Sequence, residues 1–413
     1  MRRSLIVLCF LLLLMSASSF ATNTRVLTMG ENNTILLDEA NIWLFPSRIM
    51  DYPNIAVGEF GDGDFMNLGI HWKFDEDNPW MLGTYLYNSD VVYPMGRPLP
   101  PLGYRPQFVP FDDFSLLSNQ RIDLFYGRRL GVNQIPFGFH FGAVHSSQRN
   151  DDASDQREEG LSMYTFETGL TLGGGATDIA AGFELMTWKD KENFPADTSV
   201  FDESKPKGNY SLYAQARHFW QPGPPPWTVV PHASVYKAKN EAEYYEIRNP
   251  GAPYTDDTLE LAQTDKYSWF GFELGTGLQY APSNDAMVVL DFGFRYDKVD
   301  GDFTVGSATV EATAKTFTIP FFRAGADLKV FDWMDVRLGS TSYWERFTRE
   351  NDASDKLLQD FANNNTYLGF GFHWGDLHVD TYTHPDLFLK GFNFISGETT
   401  SMNFAISALY EIM

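Results

Sequence analysis

The stretch "AMVVLDFGFRYDK" at residues 286–298 alternates between two kinds of side chain along its whole length. Its odd positions include Asp291, Gly293, Arg295 and Asp297, whereas the even positions from 288 to 296 are all apolar or aromatic. A period of two places these sets on opposite faces of an extended chain. The stretch therefore predicts a β-strand with one apolar face and one polar face.

The same alternation recurs from about residue 55 to the last residue of the chain. It is clear in "MNLGIHWKF" (66–74), "YSWFGFELGTGLQY" (267–280) and "NTYLGFGFHW" (365–374). Similar patterns lie around 122–129, 137–146, 164–172, 179–188, 210–217 and 336–345. After the first 21 residues no apolar run approaches the roughly 20 residues that a membrane-spanning helix needs. The chain is therefore predicted to be all-β.

The connections between these runs alternate in length. Short ones such as "GVNQIP", "GGGA", "PSND" and "WGD" carry the Gly, Pro, Asn and Asp that tight turns require. Long polar ones are predicted near 89–118, 149–160, 189–207, 238–266, 299–313, 347–364 and 384–398. This spacing predicts an up-and-down antiparallel meander of about 16 strands, or about 14 if one marginal hairpin is excluded.

Two architectures can hide such an alternating face. A soluble β-sandwich would bury it between two layers, but one long meander would need unusual crossovers to form them. In a membrane the apolar face meets lipid, and closure removes the open sheet edges. Aromatic residues also flank the short turns, including Trp220, Trp227, Trp333 and Trp374, as expected of an interfacial girdle. A single transmembrane β-barrel over 54–413 is therefore predicted.

The N-terminal residues "MRRSLIVLCFLLLLMSASSFA" combine two arginines, an apolar run and small residues before a cleavage site, so 1–21 is predicted to be a signal peptide. The chain's one cysteine, Cys9, lies in this segment, so the mature chain would depend on burial and pairing rather than disulfides. A net charge of -23 disfavours nucleic acid and anionic membrane surfaces as partners.

The segment 22–53 does not alternate and precedes the first predicted strand. Asp38 is a candidate N-cap of a short helix that carries Ile42, Trp43 and Phe45 and ends before Pro46. Two interpretations remain open for this segment. It is either a periplasmic cap on the rim of the barrel or a plug inside it.

With its alternating strands, cysteine-free barrel and final residues "NFAISALYEIM", the chain resembles bacterial outer-membrane β-barrel proteins of the porin-like kind. The resemblance covers roughly 55–413. It implies the outer membrane of a Gram-negative bacterium, surrounding membrane lipid, short periplasmic turns and long extracellular loops. It also implies that the barrel-assembly machinery recognises the last strand, where Tyr410 and Ile412 fit the aromatic-x-apolar ending and Met413 is one residue extra.

The strand register places charges of both signs on the face opposite the apolar one. That face would line a water-filled lumen, where opposed charges select solutes; alternatively, the charges form ion pairs that only stiffen the wall. The candidates for the lumen lining and constriction are Asp123, Arg129, Glu167, Glu184, Arg217, Glu273, Asp291, Arg295, Arg323, Asp327, Arg337 and Glu345.

Catalytic and metal-binding motifs are weak in this sequence. It contains no GxSxG, HExxH or phosphate-binding loop, so no catalytic residue, enzyme activity or cofactor is predicted. His378, Asp380, Tyr382 and His384 share one strand face, but a single strand supplies only a partial ligand set. No metal site is predicted.

Four functions are compatible with such a barrel. The least favoured is an outer-membrane hydrolase such as a protease or phospholipase, for which only His145, His232 and the stretch 378–384 offer candidate residues. The mixed charges favour a channel for passive diffusion of small hydrophilic solutes. An apolar lumen would instead favour a transporter of hydrophobic compounds with 22–53 as a hatch. A non-conducting structural or adhesion barrel is the fourth, and an oligomer is compatible with each of them.

Overall fold

The computed structural model describes residues 23–61, 66–76, 78–88, 121–152, 155–193, 201–223, 226–247, 259–305, 308–351, 356–383 and 404–412. The predicted signal peptide lies outside these residues. Nearly all of the described chain from residue 55 onward is β-strand.

The described helices are short and lie mostly before the first strand. They are the α-helix α1 (Asn23–Thr28) and the 3-10 helices η1 (Glu39–Trp43), η2 (Pro46–Asp51) and η3 (Gly173–Gly175). No helix in the described part of the chain has the length and apolar character to cross a membrane.

The described residues contain 17 strand segments. They are β1 (Ile55–Gly61), β2 (Met66–Phe74), β3 (Trp80–Asn88), β4 (Arg121–Leu130), β5 (Ile135–Asp152), β6 (Asp155–Leu172), β7 (Thr177–Asn193), β8 (Phe201–Pro206), β9 (Asn209–His218), β10 (Trp227–Ile247), β11 (Leu259–Ser283), β12 (Ala286–Val305), β13 (Ala308–Phe331), β14 (Met334–Asn351), β15 (Lys356–Trp374), β16 (Leu377–Thr383) and β17 (Phe404–Glu411).

The sheet closes on itself as an antiparallel barrel. β1 pairs with β2 on one side and with β17 on the other, so that Val57 lies opposite both Gly69 and Leu409. β8 and β9 occupy one position between β7 and β10, separated by Lys207 and Gly208. The 17 segments therefore make a 16-stranded barrel. This confirms the predicted all-β barrel with about sixteen strands rather than fourteen.

The two faces of each strand have the predicted character. In β12 the side chain of Phe292 is 53% exposed, whereas its neighbour Asp291 is 0% exposed. Large apolar side chains are exposed on the same outward register around the barrel, for example Ile70, Leu124 and Leu212. In a monomeric soluble protein so much exposed apolar surface would be unfavourable, whereas lipid accepts it.

Aromatic rings form stacks on the outer face beside the short turns. The rings of Trp333 lie 5.5 Å from Phe331 and 6.2 Å from Phe372, and Phe372 lies 5.5 Å from Trp374. Trp227 and Tyr280 pair in the same way, at 4.3 Å, beside another turn. Such rings are favoured where hydrocarbon meets the lipid headgroups.

The predicted boundaries of several long loops are wrong. The described residues within 149–160, 189–207, 238–266, 299–313 and 347–364 are largely strand, as β5 to β8 and β10 to β15 run into these regions. Beyond the apolar band both faces of a strand meet water, so the alternation that marks a strand disappears from the sequence. The regions 89–118 and 384–398 lie outside the described residues.

Replacing Phe292 by Arg is expected to reduce the free energy of unfolding by about 2–4 kcal/mol, because a charge on the lipid face near mid-bilayer must leave water. Urea unfolding in lipid vesicles, followed by tryptophan fluorescence, measures this cost. The matched control is Val132→Arg in the β4–β5 turn, where the side chain is 97% exposed and no cost is expected. Equal costs at both positions would show that Phe292 does not face lipid.

Candidate functional site

Residues 23–54, here called the lumenal segment, lie inside the barrel. Ile35, Ile42, Trp43 and Ile49 are each at most 1% exposed. The segment reaches strands on every side of the wall, through the contacts Thr24–Ser407 on β17, Arg25–Asp327 on β13, Glu39–Tyr85 on β3, Ser47–Thr171 on β6 and Gln279–Ile35 on β11. A cap resting on one rim could not touch all of these inward-facing side chains.

Inward-facing glycines give the lumenal segment its space. A Cβ added at Gly138 of β5 would lie 2.1 Å from the carbonyl carbon of Pro46. One added at Gly339 of β14 would lie 2.2 Å from the amide nitrogen of Gly30. Any other residue at these positions would place its Cβ against the backbone of the lumenal segment. The wall and the segment therefore fit only with glycine here.

The predicted cap at Asp38 is present at the start of η1. Its carboxylate accepts from the amide of Ala40 at 3.2 Å, and the side chain of Asn41 accepts from the amide of Asp38 at 3.1 Å. Burial raises the pKa of Asp38 to about 6, although Arg25 at 3.4 Å opposes the shift. Burial also raises the pKa of Glu39 well above its ordinary value, which favours a neutral carboxyl beside the Tyr85 hydroxyl.

One carboxylate of the wall holds two arginines, and we call this cluster the Asp178 anchor. Asp178 on β7 accepts from Arg217 of β9 at 2.7 Å and from Arg48 of the lumenal segment at 3.0 Å. Its second oxygen accepts from Thr171 at 2.8 Å. Asp178 is 0% exposed, Arg217 1% and Arg48 5%. Buried charges persist only when they are paired and hydrogen-bonded in this way.

Arg217 extends the Asp178 anchor along the lumenal segment. Its guanidinium donates to the carbonyl oxygens of Thr34 and Leu36 at 2.9 Å each and to Asn41 Oδ1 at 2.7 Å. The same group lies 4.5 Å from the centre of the Phe45 ring. Five fixed N–H donors suit such a role better than the point charge of a lysine.

A second set of ion pairs, the Asp327 anchor, holds the start of the lumenal segment. Asp327 of β13 accepts from Arg25 of α1 and from Arg337 of β14, both at 3.1 Å. Arg337 also contacts Asp380 and lies 3.4 Å from Asp335. The lumenal segment is thus tied to the wall by arginine–carboxylate contacts at both ends.

A histidine on the wall completes the packing against Trp43. The Trp43 ring lies 5.6 Å from that of His140, and Phe125 stacks on His140 at 4.3 Å. Each ring nitrogen of His140 meets a carboxylate, Asp123 at 2.6 Å and Glu167 at 2.5 Å. All three polar groups are buried, so these hydrogen bonds are made entirely inside the protein.

The predicted lumen residues fall into pairs with one another or with polar neighbours. Asp291 accepts from His232 at 2.9 Å and from Arg323 at 3.3 Å, and Glu273 lies 3.7 Å from Arg323. The remaining contacts are Arg295–Asp297 at 2.7 Å, Thr165–Glu184 at 3.4 Å and Thr318–Glu345 at 3.4 Å. Arg129 stands apart beside a short turn, 3.5 Å from the Gln134 carbonyl. A constriction formed by these charges remains a prediction.

The residues that form the two anchors could be predicted only in part from the sequence. Asp178 precedes the outward Ile179, so the alternation of β7 already placed it inward, although it was not chosen as a candidate. Arg25 and Arg48 had no such signal because the lumenal segment does not alternate. His140 was likewise on the inward register but carried no motif.

Rings also gather on the inner face of the neighbouring strands β9, β10 and β11. Tyr213, Tyr236, Tyr267 and Trp269, each at most 7% exposed, form what we call the inner aromatic cluster. A cavity of about 190 Å³ lies near it, between the lumenal segment and the wall. Its lining is mostly polar or charged and consists of Glu31, Thr34, Phe45, Gln215, Ala216, His232, Ala233, Ser234, Glu273, Arg295 and Arg323. Gln215 and Ser234 are two residues from Tyr213 and Tyr236 on their strands.

A closed antiparallel barrel with apolar side chains outside and paired charges inside defines an outer-membrane β-barrel protein that crosses the membrane many times. No protein-family model matches the sequence. No curated protein matches it either.

Solved structures with a similar chain course include transporters and receptors. The Ralstonia pickettii toluene transporter TbuX is 8% identical, with 95% of this chain and 99% of that chain covered and a TM-score of 0.41. A Pseudomonas aeruginosa FadL homologue is 10% identical, with 97% and 100% covered and a TM-score of 0.42. The ferric yersiniabactin uptake receptor FyuA of Yersinia pestis is 6% identical, with 87% and 80% covered and a TM-score of 0.35. Likeness at this level does not identify a cargo.

Proposed function

We propose that this protein is an outer-membrane transport barrel for small apolar compounds, and that the lumenal segment is its hatch. The observation that carries the proposal is the burial of this segment among inward-facing side chains of the wall. Its two ends are held by the Asp178 and Asp327 anchors. A barrel with its lumen filled in this way must move or release the segment before anything can pass.

An open channel for hydrophilic solutes fits this geometry less well. Such a channel needs a continuous path of water with charges free to face the solute. Here Asp291 is hydrogen-bonded to His232. Asp327 accepts from Arg25 of the lumenal segment and from Arg337 of the wall. The mixed charges that favoured a passive channel therefore support attachment of the hatch instead.

The inner aromatic cluster supports an apolar cargo. Sites that bind small molecules are concave, mostly apolar, and carry a few placed polar groups. Tyr213, Tyr236 and Trp269 supply the rings, while the adjacent cavity supplies many polar and charged groups, among them Glu273, Arg295 and Arg323. Compounds with an apolar body can bind such rings by burial and by edge or face contacts. Cargo held there would lie against Phe45 of the hatch.

Planar-bilayer conductance tests the hatch. The intact protein is expected to be silent, and a variant lacking residues 23–53 is expected to conduct in discrete ohmic steps. As the folding control, the deletion variant must change its electrophoretic mobility on heating, which shows that the unheated barrel was folded. Conductance of the intact protein equal to that of the deletion variant would favour the passive channel. A folded deletion variant that stays silent would instead favour the structural barrel.

Binding of the apolar fluorophore N-phenyl-1-naphthylamine to protein in nanodiscs tests the cargo. Trp269→Ala is expected to weaken binding several-fold, because its ring belongs to the inner aromatic cluster. The matched control is Trp344→Ala, whose ring is 56% exposed on the outer face. Equal affinities for both variants and the wild type would count against an apolar cargo site at this cluster.

A further inference from the structure

Two imidazoles face each other at the short-turn end of the β15–β16 hairpin. His373 and His378 are directly opposite in the strand register, next to the turn at Gly375 and Asp376. Their Nδ1 atoms are 2.8 Å apart, and the two rings meet edge to face with centroids 4.5 Å apart. The pair belongs neither to the two anchors nor to the inner aromatic cluster.

This spacing fits two neighbouring ligands on one metal ion. Bonds of about 2.0 Å at right angles place two nitrogen ligands about 2.8 Å apart. A hydrogen bond between the rings has a similar length, so the surroundings of the pair must distinguish the two arrangements. Two features of those surroundings favour a metal ion.

The first feature is a carboxylate on the far side of one ring. Asp335 Oδ2 lies 2.5 Å from Nε2 of His373. A carboxylate there fixes the hydrogen on Nε2 and leaves the Nδ1 lone pair directed at His378. Histidines that bind metals are commonly oriented by a carboxylate on the other ring nitrogen in this way.

The second feature is the incomplete bonding of His378. The residue is 1% exposed, and its Nε2 has no hydrogen-bond partner in the described part of the chain. Buried imidazole nitrogens are normally satisfied at both positions, so among the described residues this ring is oriented through its Nδ1 atom, 2.8 Å from His373. A coordinate bond through Nδ1 would orient the ring and leave its hydrogen on Nε2.

A cavity of about 480 Å³ next to the pair has the room and the charge for a hydrated cation. Both histidines line it, with Asp285, Asp327, Asp332 and Asp335 against Arg25 and Lys329. Carboxylates thus outnumber basic side chains around the cavity. The described residues contain no group of three or more His, Cys, Asp or Glu placed to hold a metal, so water would complete the coordination.

We propose that His373 and His378 bind a divalent transition-metal ion through their Nδ1 atoms, with Asp335 as the positioning residue. Right-angled nitrogen ligands with water in the other positions suit a tetragonal ion such as Cu(II). The site lies close to the hatch. Asp335 is 3.4 Å from Arg337, which binds Asp327, and Asp327 binds Arg25 of the lumenal segment.

Electron paramagnetic resonance of the full protein with one equivalent of Cu(II) tests the proposal. The protein is prepared without a histidine tag, and the wild-type spectrum is expected to show two coordinated imidazole nitrogens. His373→Ala and His378→Ala are each expected to reduce this number to one and to weaken Cu(II) binding at least tenfold. Asp335→Asn should keep both nitrogens and weaken binding by about tenfold.

The matched control is His218→Ala, since His218 also lies near the short turns but is exposed and bonded to Thr177 at 2.8 Å. It is expected to leave both the spectrum and the affinity unchanged. A wild-type spectrum with one nitrogen or none would overturn the proposal, and this result needs no variant to fold. Unchanged affinity in both alanine variants would overturn it as well. Neither outcome depends on whether the barrel transports apolar compounds.

Discussion

Replacing Arg217 by Ala is expected to destabilise the folded barrel with its lumenal segment by about 3–5 kcal/mol, because it breaks a buried ion pair on one side only. Asp178 would keep its hydrogen bond with Arg48 but lose the one with Arg217, which is 2.7 Å long. The carbonyl oxygens of Thr34 and Leu36 would lose their donor. Urea unfolding in lipid vesicles measures the loss of stability, and planar-bilayer conductance measures any release of the lumenal segment.

The matched control is Arg129→Ala. Both arginines were predicted to line the lumen from the alternation of their strands. Arg129, however, is partly exposed, and its described contact is the Gln134 carbonyl at 3.5 Å. Its loss is expected to change stability by less than about 0.5 kcal/mol. If the two variants lose stability equally, the Asp178 anchor does not hold the hatch.

Replacing His140 by Ala is expected to cost about 3–5 kcal/mol, because two buried carboxylates each lose a hydrogen-bond partner and a buried ring is removed. The change leaves the carboxylates of Asp123 and Glu167 buried without the ring that separates and bonds them. It also removes the stacking on Phe125 at 4.3 Å and the edge contact with Trp43. Unfolding in vesicles at pH 7 provides the measurement.

His145→Ala on the same strand is the control for this change. His145 is exposed, and its described contact is Ser162 at 3.0 Å. A neutral or nearly neutral effect is expected there. A loss at His145 as large as that at His140 would mean that strand β5 tolerates no substitution, and would remove the evidence for a special role of the buried cluster.

The barrel could be predicted from the sequence because lipid acts on every strand in the same way. Phe292 and Asp291 illustrate this, since one residue of register separates a side chain 53% exposed from one that is 0% exposed. The alternation is local and repeats with a period of two. The two faces can therefore be predicted without knowing which strands pair. Strand ends beyond the apolar band, such as Val299–Val305 in β12, carry no such signal.

The contacts of the lumen could not be predicted in the same way. Arg217 and Asp178 are 39 residues apart, and Arg25 and Asp327 are 302 apart. Alternation places a charge on the inner face but does not name its partner across the barrel. The lumenal segment has no periodicity at all, so its place inside depends on the fit between glycines such as Gly138 and its own backbone.

A designed disulfide tests most directly that the lumenal segment lies inside the barrel. Ser47 Oγ and Thr171 Oγ1 are 2.8 Å apart, and the chain's one cysteine, Cys9, can be replaced by Ser. In that background Ser47→Cys with Thr171→Cys is expected to oxidise fully in intact membranes, with thiols returning after reduction. Ser47→Cys with Leu172→Cys, one residue along on the opposite face of β6, should keep free thiols. Free thiols in both pairs would place the segment outside the lumen and contradict the hatch.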